Sequence, residues 1–440
     1  MTEAIGNPMG NFLSADQLRL GIFVMIDLPW FKHNFTLNSF RIRNEDQLRE
    51  LRSLKLPQYR YDPARSDAQA IAALSAPAVP STVSAPVVPA DAIPESDAQL
   101  ATRQRMVAQA KRREQIADVE RAFTKAVATM KNLNRNLLSR PKETLEDMGA
   151  LVGQMIGAFL DSPEATLHVM GDKAGGEEVY YHSLNVTILA MMLAKDMGLD
   201  EACARDLGIG SMVHDVGLMD IPDRVLMKAP EEYNNAERTL RMQHVDYGTA
   251  IGAKLKLTPG AMAVIAQHHE LADGSGYPRG TKGDRMTDAA RLVSLVNFYD
   301  NLCNPVDIKR AMTPHQALSY MFAQKRSKFD AKALQLMIRS LGVYPPGSIV
   351  HLSNDALAMV TSVNPKKPLR PWIMVYDANV PKDEATMLDL EKETEIHITK
   401  AISPALLPPK VAAYLNPRKR VTYFFDGANA DSGTNAKGAP

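Results

Sequence analysis

Five of the chain's ten histidines fall in one stretch, in the order His182, His214-Asp215, His244 and His268-His269. Asn297 follows in line, with Asp300 three residues on. Neutral imidazole together with carboxylate is the ligand set of borderline and hard divalent metals such as iron, manganese and zinc. An aspartate at the centre of such a set can bridge two metals. Two metals about 3.5–4 Å apart can hold a hydroxide and clamp both oxygens of an in-line phosphoryl displacement. Such a site supplies its nucleophile near neutral pH without a separate strong base. A lone histidine, or a His-Asp pair alone, carries little; their conjunction points to a functional metal site. Directly after the His pair comes Glu270-Leu271-Ala272-Asp273-Gly274-Ser275-Gly276-Tyr277-Pro278. Its glycines permit positive φ and close backbone approach, and Tyr277-Pro278 fixes the exit.

Side chains so far apart in sequence meet when several helices converge on a central pocket. Residues Glu143–Gln324 read as a run of helix patterns with few strand signals. Gly198 is placed to close a helix over Tyr181–Met197. Thr258-Pro259 is an N-cap and first-turn pair for the helix leading to His268-His269. Ala289–Leu302 repeats Leu292, Val293, Leu295, Val296, Tyr299 and Leu302 at helical spacing. His214 and Asp215 are expected side by side on a helix near its end. His268 and His269, expected about 100° apart around a helix, can serve two neighbouring metals.

The flanks read differently. Residues 1–65 form an α+β module, with strands over Leu18–Asp27 and Phe40–Arg43 and a helix over Glu45–Leu54 capped by Asn44. Residues 66–98 are an Ala/Pro-rich linker, where Pro77, Pro80, Pro86, Pro89 and Pro94 prevent a continuous helix or sheet. A connecting helix is expected over 99–141. Met106, Ala110, Ile116, Val119, Phe123, Val127 and Met130 mark its apolar stripe, a surface for the core or, over 99–138, for a homodimer. Lys111-Arg112-Arg113 reads as a solvated face. The helical domain takes 142–340. A β-rich module takes 341–426, with strand candidates Ile349–Leu352, Leu357–Val363, Trp372–Tyr376, Glu395–Ile398 and Val421–Phe425. The tail 427–440 is small, polar and expected to be disordered. The fold class is therefore mainly α, with an all-helical domain between two small flanking modules.

Composition narrows function. Lysine plus arginine (51) nearly balances aspartate plus glutamate (50), so no basic field for duplex nucleic acid is indicated. Cys203 and Cys303 form no paired framework and fit a reducing compartment. Met1–Asn11 has no signal-peptide pattern. The most apolar run, Leu184–Ala194, holds Asn185 and Thr187 and is too short for membrane insertion. A soluble, cytoplasmic protein is expected.

The His-Asp constellation and the Gly274-to-Pro278 segment resemble the HD-GYP group of the HD phosphohydrolase superfamily. The likeness spans about Glu178–Asp330 and includes Ile221-Pro222-Asp223-Arg224-Val225-Leu226. The N-terminal module, with Leu20-Gly21-Ile22-Phe23-Val24, resembles a domain of unknown function that often precedes HD-GYP domains, and the C-terminal β-rich piece has similar company. The resemblance implies an HD-type metal-phosphohydrolase domain that cleaves cyclic di-GMP to pGpG, and on to GMP, with two or three divalent ions, iron or manganese. It implies His182, His214, Asp215, His244, His268 and His269 as ligands, Asp215 as the bridge, and His214 with Asp215 as the catalytic pair. Asn297 stands at the last ligand position. Glu178 stands where members with a third metal place a glutamate. Tyr277, Gly276 and Lys309 are the expected substrate contacts, and the Gly-Tyr-Pro loop is also a surface for another signalling protein.

Three departures weaken that expectation. Leu218 stands where the family carries a phosphate-binding lysine, Asn297 replaces the metal-binding aspartate of an Asp-x-x-Asp pair, and the Val306-Asp307-Ile308 region replaces an Arg-Pro-Tyr segment. Asp300, on the same helix face, is expected to compensate in part for Asn297. Each loss of such an electrostatic group costs on the order of 2.7–4 kcal/mol at the transition state. Two alternatives follow: a degenerate domain that binds metal, nucleotide or a partner without turnover, and a phosphohydrolase for another nucleotide.

Overall fold

The computed structural model describes residues 11–28, 35, 39–75, 97–161, 167–169, 178–363, 367–415 and 421–425. Most of the expected linker and the whole of the expected tail lie outside these residues. The chain divides into two compact units. One is built on Met1–Arg113 with Ser353–Ala356 and Val375–Met387; the other takes Glu114–Leu352, Leu357–Met374 and Leu388–Pro440. Residues of the expected 341–426 module thus fall in both.

The first unit holds a four-stranded antiparallel sheet of β1 (Asn11–Leu13), β2 (Phe23–Met25), β3 (Ser39–Arg41) and β4 (Tyr59–Tyr61), in the order β1-β4-β2-β3. Helix α1 (Glu45–Ser53) begins where Asn44 accepts the Gln47 N–H, as its sequence signature requires. It buries Leu48 and Leu51 in a core with Ile22, Val24 and Tyr59. The strand expected over Leu18–Asp27 is shorter at both ends, because a 3-10 turn takes Ala15–Gln17 and Gly21 follows with φ +87°. A short helix, α2, covers Ala68–Ala72.

Helix α3 runs over Asp97–Asn136. Of its expected stripe, Val119, Phe123 and Met130 are buried in the chain's own large core and Val127 is partly buried against it. The side chains of Met106, Ala110 and Ile116 are outside the described set. The helical unit continues with α4 (Pro141–Ile156), α5 (Glu178–Met197), α6 (Glu201–Met212), α7 (Asp223–Leu226), α8 (Asn235–Met242), α9 (His244–Lys254), α10 (Pro259–Gln267), α11 (Asp288–Cys303), α12 (Pro314–Gln324) and α13 (Ala331–Leu341). Helices α5 and α11 are buried on nearly every side, from Leu184 to Ala194 and from Leu292 to Asp300, which makes them the central pair. Helix α6 packs on α5 and α10, and α10 on α9.

Close approach at one point locks this arrangement. The 3-10 turn Val216–Asp220 lies against α9, and a Cβ on Gly217 would sit 1.9 Å from the His244 carbonyl oxygen and 2.4 Å from the Gly248 nitrogen. Only glycine fits there.

A second sheet has the order β10-β6-β7-β5-β11, from β5 (Leu167–Val169), β6 (Ile349–Leu352), β7 (Leu357–Ser362), β10 (Ile398–Ile402) and β11 (Tyr423–Phe425), with β8 (Trp372–Val375) pairing β7 and β9 (Thr386–Asp389). Strand β5 comes from inside the helical region, so the sheet is not the work of the C-terminal residues alone. The strand expected over Glu395–Ile398 starts only at Ile398, because Lys392 and Glu393 both donate to the Asp389 carbonyl and coil the preceding chain. Helix α14 (Pro409–Leu415) completes the elements. No helix among the described residues is long and apolar enough to cross a membrane.

Gly217→Ala is expected to cost about 1–3 kcal/mol or more by overpacking. Urea unfolding followed by far-UV circular dichroism should show a lower midpoint; an unchanged midpoint would mean that α9 has room to retreat.

Candidate metal centre

The helices end where the chemistry begins. Helix α6 stops at Met212 and α10 at Gln267, so His214, Asp215 and His269 lie just beyond helix ends and His268 is the C-terminal cap of α10. This corrects the expectation that both pairs ride on helices. The last carbonyls of a helix have no intrahelical partner. Three of them are used here. His214 Nδ1 donates to Ser211 O at 2.7 Å, His268 Nδ1 to Ile265 O at 2.7 Å, and His244 Nδ1 to Arg241 O, in the last turn of α8, at 2.6 Å. In each case the acceptor lies three residues back. His182, on α5, donates its Nδ1–H to Asp300 Oδ2 of α11 at 2.7 Å.

Because these acceptors hold the Nδ1 protons, each neutral ring turns a bare Nε2 lone pair the other way. All four face Asp215. Its Oδ2 lies 3.7 Å from His182 Nε2 and 3.5 Å from His214 Nε2; its Oδ1 lies 3.3 Å from His244 Nε2 and 3.5 Å from His268 Nε2. The lone pairs also face each other, 3.3 Å apart between His182 and His214 and 3.1 Å between His244 and His268. Asp215 Oδ1 is buried with no hydrogen-bond partner.

Two clusters able to hold an ion result, His182–His214–Asp215 and Asp215–His244–His268–His269, sharing the one carboxylate. The donor set, the orphaned oxygen and three adjacent helix C-termini, each carrying partial negative charge, all suit divalent cations. Electrostatics agree. Burial pushes the His214 imidazole down to about 3 against the pull of Asp215, and burial also lowers His268 and His269. His182 is the exception: burial opposes its charge, but Asp300, with help from Asp215, holds it above the usual value. Asp215 resists its own burial because the histidines around it, His214 foremost, hold it well below the usual carboxylate range.

Other expected site residues are placed as follows. Asn297 is buried on α11, its Oδ1 accepting from Asn301 Nδ2 at 2.8 Å. Asp300 does not stand in for it at the metal cluster; it is bound to His182 and accepts from Asn185 Nδ2 at 2.8 Å. Glu178 opens α5, and its side chain is outside the described set. Leu218 is half-buried on the turn after Asp215. Lys309 is exposed on the 3-10 turn Ile308–Arg310, and its ammonium makes no hydrogen bond or ion pair with any described residue. Tyr277 stacks on the His269 ring, centroids 4.5 Å apart, and a side chain on Gly276 would strike the His269 carbonyl and Glu270 Cα within 2.5 Å.

Two residues were missed. Glu270 is fully buried beneath the loop and accepts the Arg279 N–H and the Thr281 N–H, each at 2.8 Å, so it clamps the segment that carries Tyr277. In the sequence it stands only as the residue after the His pair, and nothing local signals a clamp. Arg241 brings a guanidinium to 3.4 Å from His244 Nδ1. Its spacing of three before His244 is the only sequence hint.

With that geometry in place, the comparisons fall in line. Residues 132–333 match the model of the HD domain, 12–148 that of a domain of unknown function, and 349–408 that of a KOW domain associated with the HD domain. The HD-domain match falls on the helical region and is consistent with the HD-GYP likeness of the sequence. The HD segment encloses all six members of the two clusters. A cyclic di-GMP phosphodiesterase of Pseudomonas aeruginosa is 26% identical over 367 residues, 82% of this chain and 83% of that protein. A cyclic di-GMP phosphodiesterase response regulator of Xanthomonas campestris is 31% identical over 153 residues, 34% of this chain and 40% of that one. A 3′3′-cGAMP-specific phosphodiesterase of Vibrio cholerae is 32% identical over 168 residues, 38% of this chain and 32% of the other.

Glu270→Ala removes a buried carboxylate from two backbone N–H groups, and hydrogen bonds of that kind are worth about 1.5–3 kcal/mol. Hydrogen exchange at Arg279 and Thr281 should accelerate by at least tenfold, with α5 and α11 still protected. Unchanged exchange there would remove the clamp.

Proposed function

We propose that the chain is a metal-dependent phosphodiesterase that opens cyclic di-GMP to pGpG, and further to GMP. The carrying observation is the shared Asp215 carboxylate, with imidazole lone pairs converging on each of its oxygens. His182 and His214 would hold one divalent ion with Asp215 Oδ2, and His244, His268 and His269 a second with Oδ1. Iron or manganese suits this mixed nitrogen and oxygen set. Bound there, such ions polarise a phosphoryl oxygen and lower the pKa of water.

The rest is the protein's part. Helix-end carbonyls fix the His214, His244 and His268 rings by Nδ1 and the Asp300 carboxylate fixes His182, so these four ligands need no reorganisation. Asp215, ionised throughout the neutral range, supplies the negative charge of the centre. Arg241 offers a cation beside His244 to a substrate phosphate, a charge that Leu218 does not supply. Tyr277, pressed against His269 and held by the Glu270-clamped loop, gives a flat face for a guanine base. Substrate preference among cyclic dinucleotides would be set at this wall.

A non-catalytic reading also has its own observation. Asn297 Oδ1 is engaged by Asn301 and Asp300 by His182, so α11 offers the cluster no free carboxylate.

The test is product analysis by chromatography after anaerobic loading with ferrous iron or manganese. Wild type should form pGpG and the His214→Ala/Asp215→Ala protein none. Leu218→Lys with Asn297→Asp should raise turnover on the order of 10²-fold, the worth of one restored electrostatic contact. No product from metal-loaded wild type or restored protein would favour the non-catalytic reading.

A further inference from the structure

Strand β11 ends the described chain, yet it is tied into the support of the metal centre. Asp300, whose Oδ2 holds the His182 ring, has a second oxygen, and two asparagines share it. Asn185 Nδ2 and Asn304 Nδ2 each lie 2.8 Å from Asp300 Oδ1. The same two amides hold the backbone leading into β11. Asn185 Nδ2 reaches Val421 O at 2.8 Å and its Oδ1 accepts the Tyr423 N–H at 2.9 Å. Asn304 Nδ2 reaches Val421 O at 2.9 Å and its Oδ1 accepts the Val421 N–H at 2.7 Å. The Tyr423 and Tyr299 hydroxyls also bond each other at 2.9 Å, and Tyr299 directly precedes Asp300 on α11. Asn185, Asp300 and Tyr423 are all buried.

A buried carboxylate holds its geometry only while its hydrogen-bond donors hold theirs. Each asparagine here has its amide fixed at both ends, by Asp300 on one side and by the strand backbone on the other. Without Val421–Tyr423, both amides lose their second anchor and Asp300 is left with donors free to turn. Groups behind a ligand imidazole set its orientation and basicity, and their loss typically weakens metal affinity by about 10–100-fold.

We infer that the segment Val421–Phe425, which ends in β11, is a positioning element for His182 through Asn185 and Asn304. It is required for the His182–His214 half of the centre and not for the His244–His268–His269 half, which among the described residues meets this network only through the shared Asp215. Since β11 pairs β5, and β5 pairs β7, the sheet of the KOW-like region continues into the metal support. The inference rests on the proposed metal reading.

The test uses full-length protein. Asn304→Ala removes one amide anchor; Phe425→Leu, on the same strand and packed on Phe159, removes only apolar contact. Manganese binding is measured by calorimetry and elemental analysis, with melting temperature recorded for each variant. Expected is a roughly tenfold weaker affinity at one of two binding steps in Asn304→Ala, with Phe425→Leu losing melting temperature but keeping both steps. Unchanged binding in Asn304→Ala, or an equal loss in both variants, overturns the positioning role while leaving the metal reading intact. A wild type that binds no manganese overturns the metal reading itself, and this inference with it.

Discussion

One carboxylate facing four imidazole lone pairs is the constraint around which the helical unit is organised. Each ring could relieve the crowding by moving its proton to Nε2, but the helix-end carbonyls and Asp300 hold those protons at Nδ1. Bare nitrogens 3.1 and 3.3 Å apart repel unless a cation lies among them. The arrangement is therefore one that a bound cation would relieve, and burial, which lowers His214 and His268, favours their neutral donor form.

Holding that arrangement explains features that otherwise look unrelated. Three helices must end at one place, which is why ligands follow helix termini and why Gly217 is needed where the turn after Asp215 meets α9. The two most buried helices, α5 and α11, carry the polar residues His182, Asn185 and Asp300 into the core, and each of these has partners there. Glu270 serves the outer wall in the same way, spending a buried charge on two loop N–H groups. Leu218 and Asn297, which depart from the expected pattern, differ from it in charge, and both sit in regular elements of the scaffold.

Much of this was legible in the chain. Histidines at long spacings revealed the cluster because few other chemistries gather that residue set, and Thr258-Pro259 and Asn44 marked helix starts through local capping that needs no tertiary context. What failed was of another kind. Periodicity places Asp300 on a helix face but does not say whether it meets a metal or a histidine. Asn185 interrupts an apolar run, a sign read only as an argument against a membrane span, when its amide joins α11 to β11. Strands β5 and β11 are three residues long and pair across more than 250 positions, too short for alternation to show. The ends of α6 and α10 were placed late because His214 and His268 continue the helical pattern past the last helical residue.

The account turns on two cation positions sharing Asp215, and anomalous diffraction from crystals of the manganese-loaded protein reads that directly. It predicts two peaks, one against His182, His214 and Asp215 Oδ2, the other against His244, His268, His269 and Asp215 Oδ1. A map with no peak at Asp215, or with manganese held elsewhere while the four rings stay in place, would contradict it.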